Sequence, residues 1–179
     1  MCSNTKRNFN PSAISCPIPN PVSCPIIQGP PIPVPQSAFR AVRDETNAVI
    51  DVPVDTTVQV LYPNEQYDLL NEYNTFISTF IPTTRGIYSI IASVEFRPTT
   101  FPSPDYRVLI AIRVNNTQVA IDNDFFSTIT NNNIASVSTN IQLNAGDVVQ
   151  VFVRSTLAGI IVSEPPSTRF EATRLSSPL

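Results

Sequence analysis

The stretch Ile87-Tyr88-Ser89-Ile90-Ile91-Ala92-Ser93-Val94-Glu95-Phe96 decides the fold. Tyr88, Ile90, Ala92, Val94 and Phe96 fall on one face, and Ser89, Ile91, Ser93 and Glu95 on the other. A period of two marks a half-buried β-strand, because successive side chains point to opposite faces of a sheet. Tyr106–Val114 repeats the pattern: Tyr106, Val108, Ile110, Ile112 and Val114 alternate with Arg107, Leu109, Ala111 and Arg113. Asn115-Asn116 then reads as a two-residue hairpin turn, since asparagine tolerates φ > 0. Further strands are predicted downstream at Ile134–Leu143, Asp147–Ser155, Gly159–Ser163 and Thr168–Leu175. Upstream, strands are predicted at Ala38–Arg43, Val58–Tyr62 and Thr75–Ile81. No window carries a 3.6-residue period. Some ten short strands in one domain predict an all-β sandwich or jelly roll.

The first 36 residues read differently. They hold nine of the 18 prolines and all three cysteines, Cys2, Cys16 and Cys24. Ser15-Cys16-Pro17-Ile18 recurs as Ser23-Cys24-Pro25-Ile26. Proline fixes φ and disfavours helix in the residue before it, so an extended, polyproline-like arm is expected over 1–36, with the β-domain at 37–179. Residues 10–36 at about 3.1 Å each would span roughly 80 Å. The radius of gyration expected for the β-domain is about 14–15 Å, so such an arm reaches across a neighbouring copy. Its prolines are interleaved with Ile14, Ile18, Val22, Ile26, Ile27, Ile32 and Val34, which are candidate docking residues rather than spacer.

Composition excludes several classes. Charged residues make up 14% and the net charge is −3. The arm holds Lys6, Arg7 and no acid, so it carries +2 and the β-domain −5. Nine arginines scattered along an acidic body offer no basic stripe for nucleic acid. Nor does any stretch reach the roughly 20 apolar residues of a membrane span. No apolar run follows Lys6-Arg7, so secretion by a signal peptide is not expected. Cysteines in an exposed arm nevertheless imply a later oxidising environment. A particle assembled inside a cell and then released, such as a spore or a virion, reconciles the two.

Spacing of the aromatics adds a resemblance. Tyr62, Asp68, Tyr73, Phe80, Gly86 and Tyr88 are separated by five, four, six, five and one residues. This order resembles the signature of the C1q-like (C1q/tumour-necrosis-factor) domain, with Tyr62 where that family usually has phenylalanine. Ile112-Arg113-Val114-Asn115-Asn116-Thr117 is similar to a common hairpin of the family, and Leu143-Asn144-Ala145-Gly146-Asp147-Val148-Val149 to its Leu-x-Ala-Gly-Asp-x-Val turn. Ser167-Thr168-Arg169-Phe170 looks like its last strand. The resemblance covers about 37–175 and implies a ten-stranded jelly roll packed as a homotrimer, working by binding or assembly. Animal members carry a signal peptide and collagen repeats; neither is expected here, and the four glycines show no Gly-x-y period. It is similar instead to bacterial C1q-like proteins of spore surfaces and spore appendages, in which a short N-terminal connector joins trimers.

Candidate site residues follow from both readings. Cys2, Cys16 and Cys24 are candidates for disulfides between subunits; a Cys16–Cys24 loop within one arm and free thiols are the alternatives. Gly86 and Gly146 are expected at tight turns, with φ > 0 at Gly146 within Asn144–Asp147. Tyr62, Tyr73, Phe80, Tyr88 and Phe152 are expected in the core or at a trimer axis. Asn115-Asn116-Thr117 matches a glycosylation sequon but reads as a turn. Asp44/Glu45, Glu65/Asp68 and Asp122/Asp124 are acidic pairs short of the six to eight oxygens calcium wants. Without histidine there is no Ser–His or Cys–His pair, and no metal-binding Cys-x-x-Cys occurs, so neither an enzyme nor a cofactor is expected. The expected function is a structural, self-assembling subunit of a surface fibre on a bacterial spore, its trimers joined by arms and anchored or capped by other spore-surface proteins. The alternative is a trimeric receptor- or glycan-binding head of a spore-surface or phage (virion) fibre.

Overall fold

Two antiparallel sheets stacked face to face satisfy the alternation. The computed structural model describes residues 36–128 and 131–175. Its thirteen strand segments are β1 (Ala38–Val42), β2 (Ile50–Val52), β3 (Val58–Gln59), β4 (Asn64–Asp68), β5 (Tyr73–Asn74), β6 (Thr79–Phe80), β7 (Gly86–Pro98), β8 (Tyr106–Val114), β9 (Thr117–Phe126), β10 (Asn133–Leu143), β11 (Val149–Ser155), β12 (Gly159–Val162) and β13 (Arg169–Arg174). One sheet runs β2-β12-β7-β13-β1-β4, with β10 also paired to β7. The other runs β5-β6-β11-β8-β9, with β3 paired to β11. Neighbours in both sheets come from distant parts of the chain, the crossover pattern of a jelly roll rather than of a meander.

The predicted faces of the two deciding strands are the observed ones. Tyr88, Ile90, Ala92, Val94 and Phe96 point inward and are buried, as are Tyr106, Val108, Ile110 and Ile112. Valines 149, 151 and 153 of β11 fill the layer between them. At one end Phe39 stacks on Tyr73 at 4.6 Å and on Phe80 at 4.8 Å, and meets Phe170 edge-on at 5.0 Å. Burying each such ring contributes roughly 1.5–3 kcal/mol by area alone.

Several expectations fail for local reasons. Thr75–Ile81 is not one strand: β5 and β6 form a hairpin whose turn is held by Asn74 Oδ1, which accepts from the backbone N–H groups of Phe76 and Ile77. Ser78 in that turn has φ 46°. Ladder pairing of the Val58–Tyr62 segment ends at Gln59. β2, β4 and β9 lack an alternating apolar pattern because all three lie at sheet edges. Asn115 and Asn116, with φ 49° and 65°, close the β8–β9 hairpin as expected, and Gly146 has φ 86°. Gly86 needs no unusual φ. It opens β7 beneath Arg174, whose Nε would lie 2.8 Å from an added Cβ.

Candidate functional site

The resemblance-defining residues build a scaffold at one end of the sandwich. Asp68 ends β4 and accepts from the backbone N–H of Tyr73 at 2.7 Å and of Leu70 at 3.2 Å, closing the β4–β5 loop. Tyr73 donates its hydroxyl to the Tyr62 carbonyl at 2.8 Å, and Tyr62 donates its own to the Ser93 carbonyl at 3.3 Å. Phe80 and Tyr88 meet at 5.6 Å, and Tyr88 donates to the Thr84 carbonyl at 2.7 Å. Burial pushes the Tyr62 and Tyr73 phenols well above their ordinary value of 10.0. These groups hold structure. Phe152 does not join them. Because the valines of β11 take the inward positions, Phe152 faces outward, half-buried, beneath Arg113.

The scaffold also clamps the root of residues 1–36. Ser37 is 1% exposed. Its hydroxyl donates to the Glu72 carboxylate, and its carbonyl accepts from the Arg174 N–H at 2.9 Å. The other oxygen of Glu72 accepts from Thr83 N at 2.6 Å and Thr83 Oγ1 at 2.5 Å. Cys2, Cys16, Cys24 and the arm residues Ile14, Ile18, Val22, Ile26, Ile27, Ile32 and Val34 lie outside the described residues.

The outward faces of the two sheets differ. On the seven-stranded sheet Ile87, Ser89, Ile91 and Ser93 of β7 are flanked by Ser136, Ser138 and Asn140 of β10 and by Glu171 and Thr173 of β13. Glu171 is shared by two arginines there, 3.6 Å from Arg40 and 3.5 Å from Arg169. Ile87 and Ile134 are 50% and 55% exposed. The six-stranded sheet instead gathers arginines that are far apart in sequence. Arg113 lies over the Phe152 ring at 4.2 Å and Arg107 over Phe125 at 5.4 Å, and Arg154 pairs with Asp55 at 2.8 Å. The alternation of β8 puts Arg107 and Arg113 on one face, but nothing in the sequence shows that β11 brings Arg154 beside them.

The acidic pairs do not converge. Asp44 accepts from the backbone and hydroxyl of Thr46, and Asp68 is occupied by its own loop. Asp122 and Asp124 point toward the core side of edge strand β9, as their pairing opposite Ile110 and Val108 dictates. Partial burial, then the Asp122 charge, raises the Asp124 carboxyl above its ordinary value. Among the described residues no group of three metal-ligating side chains occurs.

The architecture is a C1q/tumour-necrosis-factor-like jelly roll. Murine APRIL is similar at 15% identity and TM-score 0.55, over 78% of this chain and 99% of its own. The globular domain of zebrafish complement 1qA protein is similar at 15% identity and TM-score 0.55, over 80% and 99%. Eiger TNF from S. frugiperda is similar at 10% identity and TM-score 0.53, over 82% and 96%. At these identities the likeness is one of fold. No family model matches the chain, and neither does any curated protein sequence.

Proposed function

We propose that the chain is a structural subunit that trimerises through the outward face of its seven-stranded sheet and joins trimers through residues 1–36 into a fibre or surface layer. The observation that carries this reading is that outward face. Around β7, β10 and β13 it presents small side chains and isoleucines, and the carboxylate at its centre, Glu171, is already paired within the subunit. Depletion of free charge at the centre is what separates an interface core from ordinary surface. The fold it shares with APRIL and the complement 1qA domain supports assembly or binding rather than catalysis.

Ser37 is buried and doubly bonded, so a pull on residues 1–36 would be transmitted to the core rather than to a loose strand end. Head-to-tail contacts that do not close generate open filaments. Disulfides through Cys2, Cys16 or Cys24 would make such contacts durable. In this reading the fibre stands on a bacterial spore, with other surface proteins anchoring or capping it. The arginine-rich face of the other sheet favours a second reading, a trimeric binding head.

Light scattering on the chromatographed full chain in reductant tests the trimer. Wild type should be a multiple of three 19.7 kDa chains, and Ile91→Glu, which places an unpaired carboxylate at the centre of the face, should elute as a folded single chain. A monomeric wild type, or a variant with unchanged mass, would exclude this interface.

A further inference from the structure

Arg107, Leu109, Asn123, Arg154 and Thr156 line a shallow cavity of about 150 Å³ on the outward face of the six-stranded sheet. Arg154 pairs in register with Leu109, so Arg107, two residues along β8, is its diagonal neighbour. Diagonal neighbours across antiparallel strands lie about 7–8 Å apart, within reach of long side chains. Both side chains therefore border one small space, with the Arg154 head drawn to Asp55 on one side and the Arg107 head to Phe125 on the other. Asp55 offsets Arg154 from one side at 2.8 Å. Arg107 rests on the Phe125 ring, and among the described residues it has no carboxylate partner. The cavity is thus positive on a chain whose net charge is −3.

Its chemistry narrows the ligand. The planar fork of arginine matches a carboxylate or sulfate by paired hydrogen bonds. The Asn123 amide supplies both a donor and acceptor, and the Thr156 hydroxyl, which accepts from Arg107 N at 2.9 Å, keeps its own proton to donate. Leu109 provides an apolar wall. An oxyanion, neighbouring hydroxyls and a C–H face together describe an acidic sugar. Arg113 on Phe152 continues the positive charge along β8, six residues from Arg107 and hence about 20 Å away, which suits a chain of sugars better than one. We infer that this face binds an acidic polysaccharide, with the sugar's carboxylate or sulfate held between Arg107 and Arg154. The inference is independent of self-assembly, because the proposed trimer interface uses the other sheet.

The test titrates the full chain in low salt with hexagalacturonate, a heparin hexasaccharide, maltohexaose and inorganic sulfate, following amide NMR shifts. Arg107→Gln and Arg154→Gln are compared with Arg85→Gln, a surface arginine elsewhere, and thermal melts establish that each variant folds. Saturable binding of hexagalacturonate or heparin, with shifts centred on β8, β9 and β11, is expected. It should weaken at least tenfold in Arg107→Gln and Arg154→Gln and be unchanged in Arg85→Gln. Binding of the galacturonate alone would assign the carboxylate, and of heparin alone the sulfate ester. Maltohexaose binding as tightly, inorganic sulfate competing at equal concentration, or binding indifferent to Arg107→Gln would overturn the inference. So would binding that appears only when residues 1–36 are removed, since the arm would then be the occupant.

Discussion

Replacing Gly159 with alanine should be the most damaging single-methyl change in this domain. Gly159 opens β12 and is paired with Pro98 of β7 on one side and Val52 of β2 on the other. A Cβ there would overlap Phe96 Cζ and lie 2.6 Å from both Phe96 Cε2 and the Arg97 carbonyl oxygen. Neither neighbour can yield cheaply. Phe96 is fully buried against Tyr106 at 5.5 Å, and the carbonyl belongs to the central strand. Overpacking a core costs about 1–3 kcal/mol, and a backbone collision puts this case at the top of that range. At about 2–4 °C per kcal/mol for a chain of this size, the melting temperature should fall by roughly 6–12 °C. Gly86→Ala meets the Nε, Cδ and Cγ of the Arg174 side chain rather than backbone or a buried ring, and should cost about 1 kcal/mol, less than Gly159→Ala. Gly146→Ala has open space but φ 86°, a conformation that costs an L-residue about 1–2 kcal/mol. Calorimetry of the three variants reads the order directly. A Gly159→Ala protein that melts with wild type, or a Gly86→Ala protein that melts below the Gly159→Ala protein, would refute the close-packing reasoning.

Other outcomes follow from the same core. Phe170→Ala removes a fully buried ring in contact with Phe39, Tyr62 and Tyr73, and should cost about 3–5 kcal/mol by urea unfolding at unchanged m. Because burial raises the Tyr62 and Tyr73 phenols, the native state holds their protons more tightly than the unfolded chain. The stability this contributes is complete below the unfolded value of 10.0 and is lost as pH rises above it. Absorbance at 295 nm should therefore rise for these two tyrosines only together with loss of the β-sheet circular dichroism, and a smooth titration with intact dichroism would contradict the packing. Asp147 is held below its ordinary 3.8 by the Asn144 N–H and then by the Asn115 amide. Its contribution is full above 3.8 and fades as pH falls through the lower folded value. Asp147→Asn should thus lower the melting temperature at neutral pH and converge with wild type in acid.

How much of this was legible depended on where each residue sits. Ile87–Phe96 and Tyr106–Ile112 announced their faces because they are central strands with one side in the core. β9 did not, because its core-facing positions include Asp122 and Asp124 where the edge reaches solvent; inward charges of this kind protect an edge from pairing. Thr75–Ile81 has strand composition, and the two hydrogen bonds that Asn74 Oδ1 accepts from Phe76 and Ile77 override it. Gly86 stood in the resemblance yet serves close approach rather than a turn, whereas Gly159, unmarked in sequence, admits no side chain because of a partner more than sixty positions away. The arginine face was invisible for the same reason: Arg154 comes diagonally opposite Arg107 only through the β8–β11 pairing.

Negative-stain electron microscopy of the full-length protein purified without reductant, beside residues 37–179 alone, bears most directly on self-assembly through the arm. Filaments from the full chain and isolated particles from the truncated one are expected. Discrete particles of three 19.7 kDa chains in the full-length sample would contradict the fibre and leave a free binding head.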